Sequence, residues 1–395
     1  MPALAIAKPL EKQAAAALPG LKVHVPELDG VRGLAVLFVV LYHLQGYAGL
    51  GNNRTPYGWI VSMGWSGVDL FFVLSGYLIT GILLDSRSEE KYFQKFYARR
   101  MLRIFPLYYL VVAGLFLAGP PLLRHLSRGD LIAVWVKPGS QIFAWTFTLN
   151  VPFAFDYNQI SRLIHPLWSL SIEEQFYLIW PVTVYLLTPR TLRVVCLTLV
   201  GSALPARIAF VIAGHCSAAF ALTPCRTDAL ALGALLASTV RTPGGMETIR
   251  RWGWKTSVAA LAGIILTVFF RGPEGADPVI VTVGISLVGI CYASALGAVI
   301  SAPQESLSRR GLRLPVIRFL GKYSYAIYVF HQAIIITMVH KLPSARLAMT
   351  LHSSLGGWLA FAAIFGILTI TAAMASWWLL ERHFLAFKRA FGYQS

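Results

Sequence analysis

The chain has 395 residues, of which 56% are apolar and 13% charged, with a mean hydropathy of +0.64. That balance excludes a soluble single domain, whose surface would be too apolar, and fits a polytopic membrane protein. The net charge of +17, from 34 Lys and Arg against 17 Asp and Glu, is read as basic cytoplasmic loops rather than as a nucleic-acid surface.

Residues 1–26 hold no unbroken apolar run of signal-peptide type and are expected to form a cytosolic tail. From 27 to 382 there is no composition break, long polar linker or internal repeat, so a single membrane domain is expected, with a cytosolic tail over 383–395. Apolar stretches of spanning length begin near Arg32, Ser66, Ile104, Leu167, Thr191, Asp228, Thr256, Pro278, Ser324 and Leu355. The expected fold is therefore all-α, with about ten transmembrane helices. The stretch 131–155 is apolar but broken by Lys137, Pro138 and Gly139. With ten crossings and the N-terminus inside, 24 Lys and Arg fall on the inner side and nine on the outer. Making 131–155 an eleventh crossing would put the basic loops 241–255 and 301–322 outside, so it is read as re-entrant or interfacial, and both termini as cytosolic.

Ionisable groups inside membrane spans are costly and are commonly paired or functional. The first span, "ELDGVRGLAVLFVVLYHLQG", carries Arg32 and, eleven residues on, His43. That spacing is three helical turns plus about 20°, placing both on one face roughly 16 Å apart. His43 lies about halfway across a core of roughly 30 Å. It is read as a general base, the alternative being a neutral histidine bonded to a neighbouring helix. Asp69, in "GWSGVDLFFVLSGYLITG", sits just inside the outer end of the second span, as a cap-like structural carboxylate or a substrate ligand. In "FYARRMLRIFPLYYL", Arg100 and Arg103 are neighbours on one helix face, a pairing that suits phosphate; plain positive-inside charge is the alternative, and Arg99 is read as a headgroup anchor.

"HPLWSLSIEEQFYLIWP", residues 165–181, is the densest polar stretch in any span. Ser169, Glu173, Tyr177 and Trp180 share a face, and Glu173 needs a partner, for which His43 and an arginine are candidates. Glu174 points about 100° away and reads as structural. Asp228, in "TPCRTDALALGALLA", reads as a helix cap. In "GKYSYAIYVFHQAII", Ser324, Tyr328 and His331 share a face, lining an inner cavity or bonding across helices. His165, His340 and His352 lie near outer ends and read as ordinary. Cys216 and Cys225 share an outer loop, where either a disulfide or two inert thiols is allowed. No Cys/His set has metal-ligand spacing, and no metal is expected. Outer-loop aromatics, among them Tyr47, Tyr57, Trp59, Phe153, Phe155 and Tyr157, read as an interfacial belt or as sugar-stacking platforms.

Six stretches in order resemble the acyltransferase 3 family, membrane-embedded acyltransferases that modify sugars and some small molecules. They are "ELDGVRGLAVLFVVLYH", an R-x10-H arrangement at Arg32 and His43; "GVDLFFVLSGYLIT"; "RRMLRIFPLYYL", an R-x-x-R at Arg100 and Arg103; "PLWSLSIEEQFYLIWP"; "RTDALALG"; and "GKYSYAIYVFHQ". The resemblance implies ten helices, acyl-CoA used from the cytosolic side, and an acceptor hydroxyl presented outside. It assigns His43 as the catalytic histidine, Arg32 as its partner, and Arg100 and Arg103 to the donor; Glu173 matches the acidic position of the fifth-span motif. Many members carry a further span and a hydrolase-like domain. This chain ends fifteen residues after Leu380, so transfer is expected to be completed by the membrane domain alone.

The expected function is thus an acyl-CoA-dependent O-acyltransferase of the bacterial inner membrane. By family analogy it takes acetyl from acetyl-CoA to a hydroxyl of a surface polysaccharide, lipopolysaccharide or glycolipid. Asp29 is expected to orient Arg32. His43 takes a proton from the acceptor or takes the acyl group itself. Glu173 holds the imidazole or the acceptor. Tyr328 and His331 are expected with Arg100 and Arg103 on the donor, and Asp69, Trp168 and Tyr177 on the acceptor. Partners are the donor, the carbohydrate and membrane lipids, with no nucleic acid. The alternative from another class is a transporter or flippase, which ten spans with midplane polar groups would also suit.

Overall fold

Each of the ten predicted stretches falls on a long helix: α1 (Pro26–Ala48), α2 (Gly67–Asp85), α3 (Tyr92–Ala113), α4 (Trp168–Leu186), α5 (Pro189–Ile212), α6 (Thr223–Val240), α7 (Gly245–Arg271), α8 (Ile285–Ser301), α9 (Pro315–Lys341) and α10 (Ser354–Ser376). The computed structural model describes residues 25–48, 56–126 and 135–392, and among these there is no strand. Local chemistry sets several helix starts. Proline opens α1, α5 and α9, where its missing N–H is not needed. Thr188 caps α5 by accepting from the Thr191 N–H at 3.2 Å, and Ser353 caps α10 by accepting from the Gly356 N–H at 3.0 Å.

Among the described residues, seven helices are long and apolar enough to cross a membrane. They contain α2, α3, α5, α6, α7, α8 and α10. The long helices that fall short are α1, α4 and α9. They are the ones that carry Arg32 and His43, Glu173 and Tyr177, and Tyr328 and His331. Polar residues lower their hydropathy, and those residues face each other in the interior. The peripheral helices instead expose Ile212, Val258, Phe269, Ile367 and similar side chains, as a lipid-facing surface requires.

α1 packs along α9, and α2 joins α1 to α6 and α4; α5, α7 and α8 gather around α6, and α10 backs α9. The α1–α9 crossing is backbone on backbone. A Cβ at Gly321 would lie 1.8 Å from the Asp29 carbonyl oxygen, and one at Gly33 would lie 2.1 Å from that of Ile317. Small residues permit such approaches between membrane helices. Gly321→Ala is therefore expected to force α9 away from α1, lower the thermal midpoint by the equivalent of about 1–3 kcal/mol, and reduce activity through Arg32 beside it. Melting of the purified protein tests this; an unchanged midpoint would mean that the crossing is looser than it looks.

The start of α1 is clamped to the segment before α9. Glu27 Oε1 accepts from Arg309 Nε and Arg313 Nε, each at 2.7 Å. Burial pushes the Glu27 carboxyl up, but the bonds and charge of Arg309 and Arg313 outweigh it and hold the group below the usual carboxylate range. The clamp thus stabilises at neutral pH and is lost as pH falls through that lowered value.

Of the stretch 131–155, the described part forms only short pieces, Pro138–Ser140, Gln141–Trp145 and Asn150–Phe155, none of spanning length. The C-terminal tail continues as helical turns, Arg382–Ala386 and Phe387–Phe391. Arg99, read as a lipid anchor, donates from Nη1 to the Phe391 carbonyl at 3.3 Å. Residues 1–24 of the expected N-terminal tail lie outside the described residues, as does Arg54. Cys216 and Cys225 are free thiols, as are Cys196 and Cys291.

Candidate active site

Two cavities lie end to end in the interior. The first, about 110 Å³, is lined by Arg32, Arg100, Arg103, Ser75, Ser169, Glu173, Tyr177, Ser324, Tyr325 and Tyr328, with an apolar side of Val68, Phe71, Phe72 and Leu74. The second, about 680 Å³, is lined by His43, Tyr47, Trp65, Phe153, Tyr157, His165, Trp168, Phe220, Glu274 and Gln332, and again by Val68 and Tyr328. Val68 and Tyr328 are common to both, so they form the partition between an arginine cavity and a histidine cavity.

In the arginine cavity, Arg32 Nη1 donates to Asp29 Oδ1 at 2.9 Å, one helical turn back, as the spacing implied. The guanidinium carbon of Arg100 stands 4.3 Å from the centre of the Tyr177 ring. Tyr177 is hydrogen-bonded to Ser75, and its hydroxyl lies 3.2 Å from Glu173 Oε2. Lys388, beyond the end of the last helix, is drawn into the same field. Burial pushes its ammonium down to about 7, and the charges of Arg103, Arg100, Arg99 and Arg32 push the same way. Cations gathered this closely leave a site that favours an anion.

At the partition, the Tyr328 hydroxyl donates to the Pro166 carbonyl at 2.8 Å and meets Ser169 Oγ at 2.6 Å. These bonds tie α9 to the start of α4. One turn further along α9, His331 is fully buried, and its Nδ1–H donates to the Tyr328 carbonyl at 2.7 Å. Its ring stands edge-on to His43, with centroids 5.0 Å apart. His43 Nδ1 lies 2.8 Å from the Val39 carbonyl. A carbonyl only accepts, so Nδ1 carries the proton and the Nε2 lone pair is left for chemistry.

The residues expected at a site divide as follows. Arg32, Arg100, Arg103, Glu173, Tyr177 and Tyr328 meet in the arginine cavity, and Asp29 supports Arg32. His43 and Trp168 line the histidine cavity. Tyr177, expected on the acceptor, is on the arginine side. Glu173 is bonded to Tyr177 and lies across the partition from His43, so it does not hold the imidazole. His331, expected on the donor, packs behind His43 instead. Asp69 lines neither cavity: it pairs with Arg226 at 2.8 Å, both fully buried. Asp228 is not a cap but lies inside α6 and pairs with Arg207 at 2.8 Å.

His165, read as ordinary, is buried in the histidine cavity wall, where its Nε2–H donates to the Ile160 carbonyl at 3.1 Å. Gln332, adjacent to His331, was not singled out by pattern at all. Tyr47, Phe153 and Tyr157 of the aromatic set line this cavity. Phe155 is exposed, and the Tyr57 side chain lies outside the described residues. No group of three His, Cys, Asp or Glu side chains is placed to hold a metal among the described residues.

Comparison with known proteins adds to this geometry. The acyltransferase-domain profile of the acyltransferase 3 family matches residues 25–378. The chain is 31% identical over 332 residues to the peptidoglycan O-acetyltransferase OatA of Listeria monocytogenes, covering 79% of this chain and 49% of that protein. It is 29% identical over 331 residues to the O-acetyltransferase OatA of Staphylococcus aureus, covering 79% and 51%. The chain thus spans about half the length of the curated relatives it matches. No solved structure matches at a significant level.

Proposed function

The chain belongs to the acyltransferase 3 family, and from that premise we propose that it is a membrane O-acetyltransferase carrying acetyl from cytosolic acetyl-CoA to a hydroxyl of a cell-surface carbohydrate such as peptidoglycan. The observation that carries the reading is the meeting of the two cavities at Tyr328 and Val68, with cations on one side and a histidine base on the other. On this reading the protein crosses the bacterial inner membrane ten times with both termini in the cytosol. The arginine cavity opens to the cytosol, where basic residues collect. Membership of an acyltransferase family favours this enzyme over a transporter, which would need no base beside a cationic pocket.

Arg100 and Arg103 hold the donor phosphates, with Arg32 fixed by Asp29 between them and the partition. The slender uncharged arm of the donor runs past Tyr177 and Ser324 and delivers the thioester to Tyr328. An acceptor hydroxyl in the histidine cavity gives its proton to His43 Nε2 as its oxygen attacks the thioester carbon. The carbon–sulfur bond breaks, an oxygen ester forms, and the proton leaves His43 for the departing thiolate. Products are the acetylated sugar and free CoA thiol.

The test is release of CoA thiol from acetyl-CoA by the purified protein, with and without glycan. Acceptor-stimulated release is expected. Arg100→Ala and Arg103→Ala should each raise the KM for acetyl-CoA by about tenfold or more, the loss of a charge-assisted hydrogen bond. Release insensitive to glycan, or an unchanged donor KM in both variants, would contradict the assignment.

A further inference from the structure

The histidine cavity contains a second polar centre that the transfer reaction leaves unused. Gln332 is 1% exposed, lines the same cavity as His43, and donates from Nε2 to the Tyr47 hydroxyl at 2.8 Å. Its Oε1 is buried and has no hydrogen-bond partner. A buried amide oxygen left unpaired is costly, so the position calls for a donor. Tyr47, having accepted from Gln332, keeps its own O–H for an acceptor. Both residues line the cavity, and between them they have one acceptor and one donor left to satisfy, which is the complement of an alcohol. A carboxylate would meet only one of these atoms favourably, and an ammonium only the other.

The walls narrow the class further. Phe153 and Trp168 lie with ring centroids 5.3 Å apart and planes 33° from parallel, and the Tyr157 ring is 5.0 Å from Phe153. These flat apolar faces match the C–H faces of a saccharide ring, and a cavity of about 680 Å³ has the size of a small-molecule site rather than of a polymer groove. We propose that Gln332 and Tyr47 form a hydroxyl-reading subsite for a pyranose ring seated on the Phe153, Tyr157 and Trp168 wall. The hydroxyl they hold is not the one acetylated; it turns the ring so that another hydroxyl points to His43 Nε2. Gln332 and Tyr47 then determine which position of the sugar is modified. This rests on reading the histidine cavity as the acceptor site.

The experiment measures binding of a panel of methyl pyranosides (gluco, galacto, manno, rhamno and N-acetylglucosamino) by calorimetry, with no donor present. At least one is expected to bind the wild type. Gln332→Met, which keeps shape and removes the amide, should weaken it about tenfold, the value of one neutral hydrogen bond. Tyr47→Phe provides the second variant should Gln332→Met not retain the wild-type melting temperature. The monodeoxy sugar lacking the hydroxyl that is read should bind the wild type about tenfold more weakly, yet bind Gln332→Met no worse than the parent sugar does. The proposal is overturned if no pyranoside binds the wild type, if both variants bind as the wild type does, or if the losses from variant and deoxy sugar simply add. Because no donor is present, a protein that binds sugars as described but never cleaves acetyl-CoA would sink the proposed transfer and leave the subsite standing. Transfer to sugars unaffected by Gln332 would do the reverse.

Discussion

Replacing His43 with glutamine or alanine is expected to lower acceptor-dependent acetyl transfer by about 10²–10⁴-fold, the range that a general base supplies. The size follows from the geometry. The Nδ1–H bond to the Val39 carbonyl fixes the ring and its tautomer, so Nε2 is the one basic atom the imidazole offers to the cavity. Glutamine keeps the length and polarity and has no basic atom at pH 7, so it should fall nearly as far as alanine. His43 is only half-buried, and although its ring touches His331, the close approach of α1 to α9 is made at Gly33 and Gly321. Melting temperatures of both variants should therefore stay near the wild type while turnover collapses. Steady-state rates with saturating donor and glycan check this, and a fall of less than tenfold in both variants would remove His43 from the chemistry.

The second large effect is on stability. Arg226 and Asp69 form a salt bridge at 2.8 Å in which neither side chain is exposed, with the guanidinium near the rings of Phe72, Trp168 and Phe220. Arg226 Nε and Nη1 and Asp69 Oδ2 have no hydrogen-bond partner. Breaking a buried pair strands the other charge, at a cost of about 3–5 kcal/mol. Asp69→Ala or Arg226→Ala is expected to melt the protein or abolish its recovery from membranes. The double replacement Asp69→Leu with Arg226→Met should recover most of the loss, because an apolar pair of similar volume is often neutral. Thermal melting of the three variants decides between roles. A double variant that folds but has a raised acceptor KM would return Asp69 to the substrate.

That pair also marks the limit of reading this chain from its residues. Arg32 and His43, Arg100 and Arg103, and Ser324, Tyr328 and His331 were legible because helical spacing puts each set on one face, and a costly polar residue in an apolar run draws attention to itself. The ten apolar stretches were legible from their length alone, and each falls on a long helix, seven of which are long and apolar enough to cross a membrane among the described residues. What spacing does not carry is which face meets which. Asp69 and Arg226 stand 157 positions apart, and nothing local to either names the other. His331 was seen on the right face of α9 but assigned to the donor. Its depth relative to the α1 histidine depends on how far α9 slides along α1, and close approaches at Gly33 and Gly321 set that. Gln332 carried no signal, since an uncharged amide beside a histidine is unremarkable until its oxygen is found buried without a partner. The partition at Tyr328, which separates Glu173 from His43, is likewise a product of packing between α4 and α9.

The most direct measurement of the central claim, that one active site joins a donor cavity on one membrane face to an acceptor cavity on the other, uses sealed vesicles with the protein in a single orientation. Labelled acetyl-CoA is placed on one side and glycan on the other. Acetylated glycan is expected only when the donor is on the side of Arg100 and Lys388 and the acceptor on the opposite side. Product formed with both substrates on one side, and none across the bilayer, would contradict it.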